Sequence, residues 1–491
     1  MQVESSSARM GVSATRPTYH QPVRETATVV DRLREVVAAE RVIDDAASLY
    51  PYAFDASFWS LRQQRVPDVV VVPRTTAEVQ AVVRIAAETE TPVIARGAGT
   101  GQTGGAIAAK GGIVVSFAQM REVLSIERQD LQCVVQPGLV HADLQVALRP
   151  HQLFFPPDPG SGRACTLGGM AANNASGPHA VKYGVMSAYV LGLEVVLADG
   201  NCITTGGERS KVLKSSSGID LTKLFVGSEG TLGIITKLRL RVQPLPPARA
   251  VVQAAYAALE DAIRSLDDLF EAGILPATAE LLDRSALDAI RVYRPELAIP
   301  AGEAILLIEV DGLPDGVREL SFAVEGLAKR RATKTLIASS EADVQRLWQT
   351  RASLGGAAAL AHPDKRRIFA GEDLCVPMSM IPRTIRRARE LAREADIAVL
   401  FYGHVGDGNV HSAILIDPAD TEEVARADRL ADQLHQLAIE LGGSVTGEHG
   451  TGAVRARYMR AEHGAAFETM LAVKRALDPK GILNPGKFLE D

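Results

Sequence analysis

The sequence predicts an α+β protein built from two main domains. Its 491 residues exceed the size at which one hydrophobic core keeps growing. Segments with strand and helix patterns follow one another over most of the chain, and prolines at positions 244, 246 and 247 separate two regions of different composition. We therefore expect an N-terminal tail with leading helices over residues 1–65, a first domain over 66–245, a second over 246–440 and a C-terminal segment over 441–491.

The first domain begins with a strand, a helix and a second strand. The apolar strand PDVVVVP precedes a capping box from Thr75 to Glu78, which predicts the start of a helix. The strand TPVIARG then leads into a glycine-dense loop, and GGIVVSF and CVVQPG are typical of further short strands. Two more stretches rich in glycine and asparagine, residues 156–184 and 226–233, follow before the prolines.

The second domain alternates strands and helices of different composition. The pattern predicts strands at ARAVVQAAY, AILLIEVDG and IFAGEDLCV, and helices at LEDAIRSLDDLFEAG, VRELSFAVEGLAKR and EADVQRLWQTRASLGGAAALA. A helix over residues 381–395, the strands AVLFYGHV and NVHSAILI, and a helix over 421–441 complete it. The C-terminal segment holds GEHGTG, an amphipathic helix and LNPGK.

The composition excludes several classes of protein. Hydrophobic residues make up 46% and charged residues 23% of the chain, which is typical of globular proteins and not of disordered or fibrous ones. Lys and Arg number 53 against 59 Asp and Glu, a net charge of -6, so no general positive field for nucleic acid is expected. No apolar run reaches the roughly 18 residues of a transmembrane helix, which leaves peripheral attachment to a membrane open.

The cysteines and the N-terminus bear on location. The four cysteines stand singly, without a CxxC pair, which fits neither a disulfide scaffold nor a zinc ribbon; they are Cys133, Cys165, Cys202 and Cys375. This favours a reducing compartment, and we expect a cytoplasmic protein. Residues 1–28 are rich in Ser, Thr and Arg but lack the amphipathic period of a transit peptide, so a tail is expected.

The first glycine-dense loop contains GxGxxG at Gly99, Gly101 and Gly104, directly after a predicted strand. This motif alone is a weak indication of dinucleotide binding. The following GGAIAAKGG is too interrupted by glycine to form the helix of a Rossmann unit, and the next strand ends without the expected acid. A Walker loop is excluded because no Lys-Ser/Thr follows. What remains is a loop whose backbone N–H groups converge on an anion such as a diphosphate.

Three loops of this kind lie in the first domain, at residues 96–105, 158–177 and 227–233. For any single loop, tight turns are the preferred explanation. Three within one domain favour a cofactor that carries phosphate.

At these loops the chain resembles a known family. RGAGTGQTGG, PDPGSGRACTLGGMAANNASGPHAVKYG and VGSEGTLGIIT are similar to the FAD-binding domain of the vanillyl-alcohol oxidase and p-cresol methylhydroxylase (PCMH) class. The resemblance is closest to the branch of glycolate oxidase flavoprotein subunits, D-lactate dehydrogenases and D-2-hydroxyglutarate dehydrogenases, and it covers roughly residues 67–487. It implies a PCMH-type FAD-binding fold, an α+β substrate (cap) domain and a C-terminal segment that returns to the flavin.

The resemblance also assigns FAD contacts. In the family the first loop binds the diphosphate and the later segments complete the site. The matching residues are Arg96, Gly97, Ala98, Gly99, Thr100, Gly101, Pro157, Asp158, Gly168, Gly169, Asn174, Gly177, Glu229, Gly230, Ile235 and Asn484. Members that bind flavin covalently often carry His at the position of Thr100. Since threonine cannot form that bond, the resemblance implies non-covalent FAD.

The segment FYGHVGDGNVHSAILI predicts a β-hairpin. If Asp407 and Gly408 form the favoured two-residue turn, His404 lies directly opposite His411. A four-residue loop with the same centre gives the same pairing, and a three-residue loop breaks it. Opposed residues have Cβ atoms about 4.5 to 5.5 Å apart, close enough for both imidazoles to bind one metal. Each histidine alone is more typical of a hydrogen-bonded core or surface residue.

Two ligands give a weak site, so a third is needed. Glu448 and His449 in VTGEHGTG are the best remaining candidates, although a glycine turn with solvated polar residues explains that segment about equally well. In the family, the two hairpin histidines and the Glu of the EHG segment bind a divalent metal, usually zinc or manganese, and the adjacent His is the base. The resemblance thus implies the ligands His404, His411 and Glu448, with His449 as base.

These assignments imply an FAD-dependent dehydrogenase of D-2-hydroxy acids. A metal makes a coordinated substrate hydroxyl more acidic. His449 then removes the hydroxyl proton while the hydrogen on the same carbon leaves as hydride for flavin N5, and a 2-oxo acid is formed.

Arg351, in LWQTRASL, matches the family arginine that binds a substrate carboxylate, for which its planar fork is suited. Without the resemblance, a solvated charge on a helix is the simpler interpretation. D-2-hydroxyglutarate dehydrogenases carry a threonine and then a lysine after this arginine, near the second carboxylate. This chain has Gly355 and the cluster Lys365, Arg366 and Arg367. A monocarboxylate, D-lactate or glycolate, is therefore favoured.

Other functions stay open. D-2-hydroxyglutarate is the alternative substrate, and a non-redox FAD enzyme of the alkylglycerone-phosphate synthase type shares the fold, although GEHG and the histidine hairpin argue against it. A subunit that only relays electrons is a third class. Oxygen, a quinone, a cytochrome, a flavoprotein and an iron–sulfur subunit are all compatible as electron acceptor, and a homodimer is compatible too.

Overall fold

A computed structural model describes residues 24–368 and 373–489. The predicted tail before residue 24 and the middle of the predicted strand IFAGEDLCV, residues 369–372, lie outside the described residues.

Up to residue 247 the chain forms three sheets flanked by helices. The strands are β1 (Val42–Ile43), β2 (Val69–Val71), β3 (Val93–Arg96), β4 (Ile113–Ser116), β5 (Val123–Glu127), β6 (Gln132–Val135), β7 (Leu153–Phe154), β8 (Val190–Val196), β9 (Cys202–Thr204), β10 (Ile234–Arg241) and β11 (Gln243–Pro244). The α-helices are α1 (Arg24–Val36), α2 (Ala46–Leu49), α3 (Phe58–Gln63), α4 (Thr76–Thr89), α5 (His141–Leu148), α6 (Leu167–Asn173), α7 (Ala180–Tyr183) and α8 (Leu221–Phe225).

The order of these strands places the glycine-rich loops. One sheet has the order β1-β2-β4-β3, with β2, β4 and β3 parallel. A second, antiparallel sheet has the order β5-β6-β10-β8-β9, and β11 pairs with β7. The first glycine loop leaves the end of β3, and the third leads directly into β10.

The predicted start of α4 is confirmed. The hydroxyl of Thr75 accepts the backbone N–H of Glu78 at 3.2 Å, which satisfies one of the free donors at the helix start. Val79, Val82 and Val83 of this helix are fully buried and belong to the hydrophobic core around the β1-β2-β4-β3 sheet.

The second half of the chain forms one antiparallel sheet covered by helices. Its strands are β12 (Ala248–Tyr256), β13 (Thr278–Asp283), β14 (Ala304–Gly312), β15 (Lys334–Ala338), β16 (Arg366–Ile368), β17 (Leu374–Cys375), β18 (Ala398–His404) and β19 (Asn409–Ile416). The α-helices are α9 (Leu259–Glu271), α10 (Arg284–Tyr293), α11 (Pro314–Ala328), α12 (Glu341–Ala352), α13 (Leu354–Ala361), α14 (Ile381–Glu394), α15 (Thr421–Glu440), α16 (Met459–His463) and α17 (Ala465–Leu477).

The sheet order is β15-β12-β14-β13-β18-β19-β16, with β17 also paired to β19. Hydrophobic cores lie on both of its faces, which explains the long apolar strands that the sequence predicts here. The sequence analysis predicts no strand in the segments that form β13 and β15. The single helix predicted over EADVQRLWQTRASLGGAAALA is wrong: α12 ends and α13 begins around Ser353, where serine and the glycines that follow have low helix propensity.

The C-terminal segment packs against the first half of the chain. Phe467, Leu471 and Phe488 belong to the core beside the five-stranded sheet, and Leu483 bridges to Val93 of β3. The first half therefore depends on the last residues for its core. The domain boundaries at residues 66, 246 and 441 remain our proposal. Within the described residues, no helix combines the length and the apolar character needed to cross a lipid bilayer.

Candidate functional site

One cavity of about 640 Å³ brings the predicted loops and the histidines together. Its walls include parts of all three glycine-rich loops, the C-terminal end of α12, and residues of the β18–β19 hairpin and the GEHG segment. The predicted site residues that line it are Arg96, Gly97, Ala98, Gly99, Thr100, Gly101, Gly168, Gly169, Glu229, Gly230, Ile235, Arg351, His404, His411, Glu448 and His449.

Five predicted FAD residues are not among those that line this cavity. Pro157 is buried, Asp158 bonds to His179 at 2.6 Å, and Gly177 lies against the backbone of Asp158. Asn174 accepts the N–H of residue 187 at 2.8 Å. Asn484 donates its amide to the backbone oxygens of residues 105 and 229, at 2.9 and 2.7 Å. The side chains of Asp158, Asn174 and Asn484 therefore bond to other parts of the protein.

The first two loops form a concave backbone surface, the glycine cradle, made of residues 97–105 and 166–169. A Cβ at Gly97 would lie 2.2 Å from Oγ1 of Thr166, and one at Gly168 would lie 2.6 Å from Cβ of Pro137. Gly99 has φ +70°, a conformation that favours glycine. The buried hydroxyl of Thr166 has no hydrogen-bond partner. A backbone surface packed this closely, with an unpartnered hydroxyl beside it, fits a diphosphate.

Arg96 and Glu229 line the cavity, but other parts of the chain occupy their charged groups. The guanidinium of Arg96 donates to the backbone oxygen of Phe54 at 2.6 Å, and burial lowers its pKa. The carboxylate of Glu229 accepts the N–H groups of Thr451 and Gly452, at 2.6 and 2.8 Å. Glu229 thus ties the third glycine loop to the segment that follows GEHG.

The predicted register of the histidine hairpin is wrong. β18 ends at His404 and β19 begins at Asn409, so residues 405–408 form a four-residue loop. The centre of this loop lies one residue before the centre of the predicted turn. His411 is opposite Tyr402, and His404 is its diagonal neighbour. Val405, the first residue of this loop, is fully buried in the core of this half. The two imidazoles still share a face, with ring centroids 5.0 Å apart.

Three imidazoles surround one carboxylate oxygen, Oε1 of Glu448. Its distances to Nε2 are 3.5 Å for His404, 3.4 Å for His411 and 3.5 Å for His449. The other oxygen, Oε2, is buried without a hydrogen-bond partner. We call these four residues the histidine–glutamate cluster. Nitrogen and carboxylate ligands in a buried pocket suit Zn²⁺ or Mn²⁺.

Asp373 belongs to this site, although the sequence did not indicate it. It is fully buried, and its Oδ2 accepts the backbone N–H groups of residues 447, 448 and 449 at 3.0, 3.0 and 2.8 Å. Its Oδ1 accepts the amide of Asn409, at the start of β19, at 2.9 Å. Asp373 therefore holds the GEHG segment against the hairpin. It also has a ligand atom within 4.8 Å of those of His411, Glu448 and His449.

Burial and charge set the protonation of the cluster. Burial and the nearby charge of His404 lower the pKa of His411 to about 3. Burial also works to lower the pKa of His404, but the carboxylates of Glu280 and Glu448 hold it well above its usual value. Burial works to raise the pKa of Glu448, and the charge of His404 outweighs it, so that this pKa lies well below the usual range. A neutral His411 and an ionised Glu448 are the forms that bind metal, whereas His404 must lose its proton at Nε2 to bind one.

The side of the cavity formed by α12, β16 and β18 carries cationic and aromatic groups. Arg351 is only 21% exposed, its Nε donates to Oε2 of Glu280 at 2.8 Å, and its guanidinium lies 4.4 Å from the centre of the Tyr402 ring. It is therefore not a solvated surface charge. Trp348, one helical turn earlier on α12, lines the same cavity.

Of the three basic residues at 365–367, only Arg367 lines the cavity. Lys365 pairs with Glu423, and Arg366 is exposed. Arg367 lines the cavity and donates to the hydroxyl of Tyr402. The sequence could not assign these three positions, because their directions depend on where β16 begins and on which of its residues face the cavity.

Comparisons with known proteins show the family to which the chain belongs. The family description "FAD linked oxidases, C-terminal domain" matches residues 245–488, and "FAD binding domain" matches residues 67–206. The chain is 37% identical to glycolate oxidase subunit GlcD of Bacillus subtilis, over 94% of this chain and 97% of that one. It is 36% identical to a probable mitochondrial D-lactate dehydrogenase of Danio rerio, over 94% and 92% of the two chains.

Among solved structures, p-cresol methylhydroxylase superposes with a TM-score of 0.77 at 18% identity, over 95% of this chain and 97% of that one. The predicted PCMH-type fold is therefore confirmed.

Proposed function

This chain belongs to the FAD-linked oxidases, and from that premise we propose that it oxidises a small D-2-hydroxy acid, D-lactate or glycolate, to the 2-oxo acid. One observation carries the proposal: the histidine–glutamate cluster, Arg351 and the glycine cradle line the same cavity. The names of the relatives, glycolate oxidase subunit and D-lactate dehydrogenase, support the same class of substrate.

Two groups that the protein would bind supply chemistry. Non-covalent FAD, held along the glycine cradle, would accept the hydrogen on carbon 2 as hydride. A divalent cation, Zn²⁺ or Mn²⁺, held by His404, His411 and Glu448, would make the substrate hydroxyl more acidic.

The remaining steps fall to side chains of the protein. Arg351 binds the substrate carboxylate through its planar guanidinium. His449 accepts the hydroxyl proton at Nε2, the nitrogen that lies 3.5 Å from Oε1 of Glu448. The Tyr402 ring stacks on Arg351 and helps to fix its direction.

A panel of D- and L-2-hydroxy acids with an artificial dye acceptor tests the proposal. We expect turnover with D-lactate or glycolate and little with the L-enantiomers. No turnover with any 2-hydroxy acid, in protein that carries FAD and metal, would contradict it.

Arg367 favours a second substrate, D-2-hydroxyglutarate. Its guanidinium lies 5.5 Å from the Tyr402 ring, on which Arg351 also stacks, so two guanidinium groups border the same part of the cavity. Two cations suit a dicarboxylate. If this substrate is the natural one, Arg367→Met raises KM for D-2-hydroxyglutarate at least about tenfold and leaves KM for D-lactate nearly unchanged. Lys365→Met is the control, because Lys365 pairs with Glu423 instead.

A further inference from the structure

Glu280 is a buried carboxylate at the centre of the β15-β12-β14-β13-β18-β19-β16 sheet, and no sequence motif marks it. It lies on β13, directly opposite His404 of β18, and its side chain is 0% exposed. A carboxylate in such a place is costly unless charged or polar partners compensate for its lost hydration. Its partners therefore indicate what it does.

The two oxygens of Glu280 contact two different parts of the site. Oε1 bonds to Nδ1 of His404, a member of the histidine–glutamate cluster. Oε2 accepts the Nε–H of Arg351 at 2.8 Å. One rigid carboxylate thus joins the candidate metal ligand to the candidate carboxylate-binding arginine.

The contact with His404 determines which nitrogen can bind metal. When Nδ1–H donates to Glu280, Nε2 carries the lone pair, and Nε2 faces Glu448 Oε1 at 3.5 Å. Histidine ligands commonly donate their second N–H to a carboxylate, which fixes the tautomer and the ring direction.

The contact with Arg351 determines the direction of the guanidinium. Glu280 bonds to Nε, and the guanidinium carbon lies over the Tyr402 ring, 4.4 Å from its centre. These two contacts restrict the direction of the group. The terminal nitrogens then remain the ones suited to a bidentate pair with a substrate carboxylate.

We propose that Glu280 is a positioning residue that aligns the metal ligand His404 and the substrate-binding Arg351 with respect to each other. The inference rests on the proposed function, because it takes the roles of these two residues from there. It adds that metal affinity and substrate affinity depend on the same carboxylate.

Glu280→Gln separates the two contacts. An amide has one acceptor oxygen, so it cannot accept hydrogen bonds from both partners. If the oxygen keeps Arg351, the NH₂ group faces Nδ1 of His404 and favours the tautomer with the proton on Nε2, which cannot bind metal. We expect metal affinity to fall by about 10- to 100-fold, KM for the hydroxy acid to rise, and FAD to stay bound.

The experiment titrates FAD-loaded, chelator-stripped protein with Mn²⁺ by calorimetry and measures KM for D-lactate and glycolate in parallel. Asp283→Asn is the matched control. Asp283 lies on the same strand, is fully buried, and pairs with Arg389 at 2.7 Å. Being three residues from Glu280, it faces the other side of the sheet. We expect this control to lose stability while Mn²⁺ affinity and KM stay at wild-type values.

The outcomes distinguish this inference from the proposed function. Wild-type protein that binds no Mn²⁺ contradicts the metal centre and the inference with it. Wild-type binding combined with unchanged affinity and KM in Glu280→Gln contradicts the inference alone. If Glu280→Gln does not fold, Glu280→Asp replaces it, since the shorter side chain keeps the charge but cannot reach both partners. Wild-type values in that variant would equally overturn the inference.

Discussion

The glycine cradle and the histidine–glutamate cluster lie on the same cavity, but they are built in opposite ways. The cradle depends on missing side chains: added atoms at Gly97 or Gly168 would collide with Thr166 or Pro137. The cluster depends on side chains that converge from two distant segments, and buried carboxylates hold them in place.

The difference indicates which amino-acid substitutions each part of the site tolerates. A backbone surface is sensitive to added volume and has no charge to lose, whereas the cluster is sensitive to the loss of one proton acceptor or one ligand. Substitutions in the cradle should therefore affect FAD affinity, and substitutions in the cluster should affect the chemical step.

His449→Ala should have the largest effect on the reaction. Removing a general base typically slows a reaction by about 10²- to 10⁴-fold, and His449 does not belong to the cradle. We expect the rate of flavin reduction by D-lactate or glycolate, measured by stopped-flow absorbance, to fall within that range while FAD stays bound. An unchanged reduction rate, or loss of FAD in this variant, would break the division between the two regions.

Gly168→Ala should weaken FAD binding. Its Cβ would lie 2.6 Å from Cβ and 2.9 Å from the backbone oxygen of Pro137, and overpacking of this kind costs about 1 to 3 kcal/mol. We expect FAD affinity, measured by fluorescence titration of the apoprotein, to fall by roughly tenfold to a hundredfold.

Gly316→Ala is the control for this prediction. Gly316 lies in α11, away from the cavity, and has open space where its Cβ would lie, so FAD affinity should stay at the wild-type value. Equal losses in both variants would mean that the cradle is not defined by close backbone packing.

His179→Gln should affect stability rather than chemistry. His179 bonds to Asp158 of the first half at 2.6 Å and to Glu309 of the second half at 3.3 Å. Burial works to lower its pKa, but these carboxylates raise it to about 10. Because the folded state binds the proton more tightly, the contribution to stability is full below about pH 6.5 and is lost as the pH rises through 10.

We therefore expect His179→Gln to lower the free energy of unfolding by about 2 kcal/mol at pH 6, and the difference from wild type to shrink towards pH 10. Urea denaturation at several pH values measures this. His151→Gln, at an exposed histidine, is the control and should show no such trend. A difference that stays constant with pH would mean that His179 is not a charged link between the two halves.

The two regions also differ in how far the sequence predicted them. The cradle lies in segments that each carry their own signature, so the loops at residues 96–105 and 158–177 could be identified directly. The cluster needed two histidines seven residues apart, which a hairpin brings together in more than one register. The expected pairing of His411 with His404 was wrong, because His411 lies opposite Tyr402.

Asp373 and Glu280 could not be found from the sequence, for a physical reason. Asp373 bonds to backbone groups 74 to 76 residues away, and the partners of Glu280 are 71 and 124 residues away. Backbone N–H groups carry no side-chain signature, and pairing across β13 and β18 depends on a sheet order that local patterns do not encode. The proposed FAD, metal and catalytic roles remain predictions for experiment.

The central claim is that a divalent cation in the histidine–glutamate cluster is required for hydride transfer to FAD. The most direct test mixes the FAD-loaded protein anaerobically with D-lactate or glycolate before chelation, after chelation, and after Zn²⁺ or Mn²⁺ is added back. We predict that chelation slows flavin reduction by at least about a hundredfold, that FAD stays bound, and that added metal restores the rate. Full-rate flavin reduction in protein shown to be free of metal would contradict the claim.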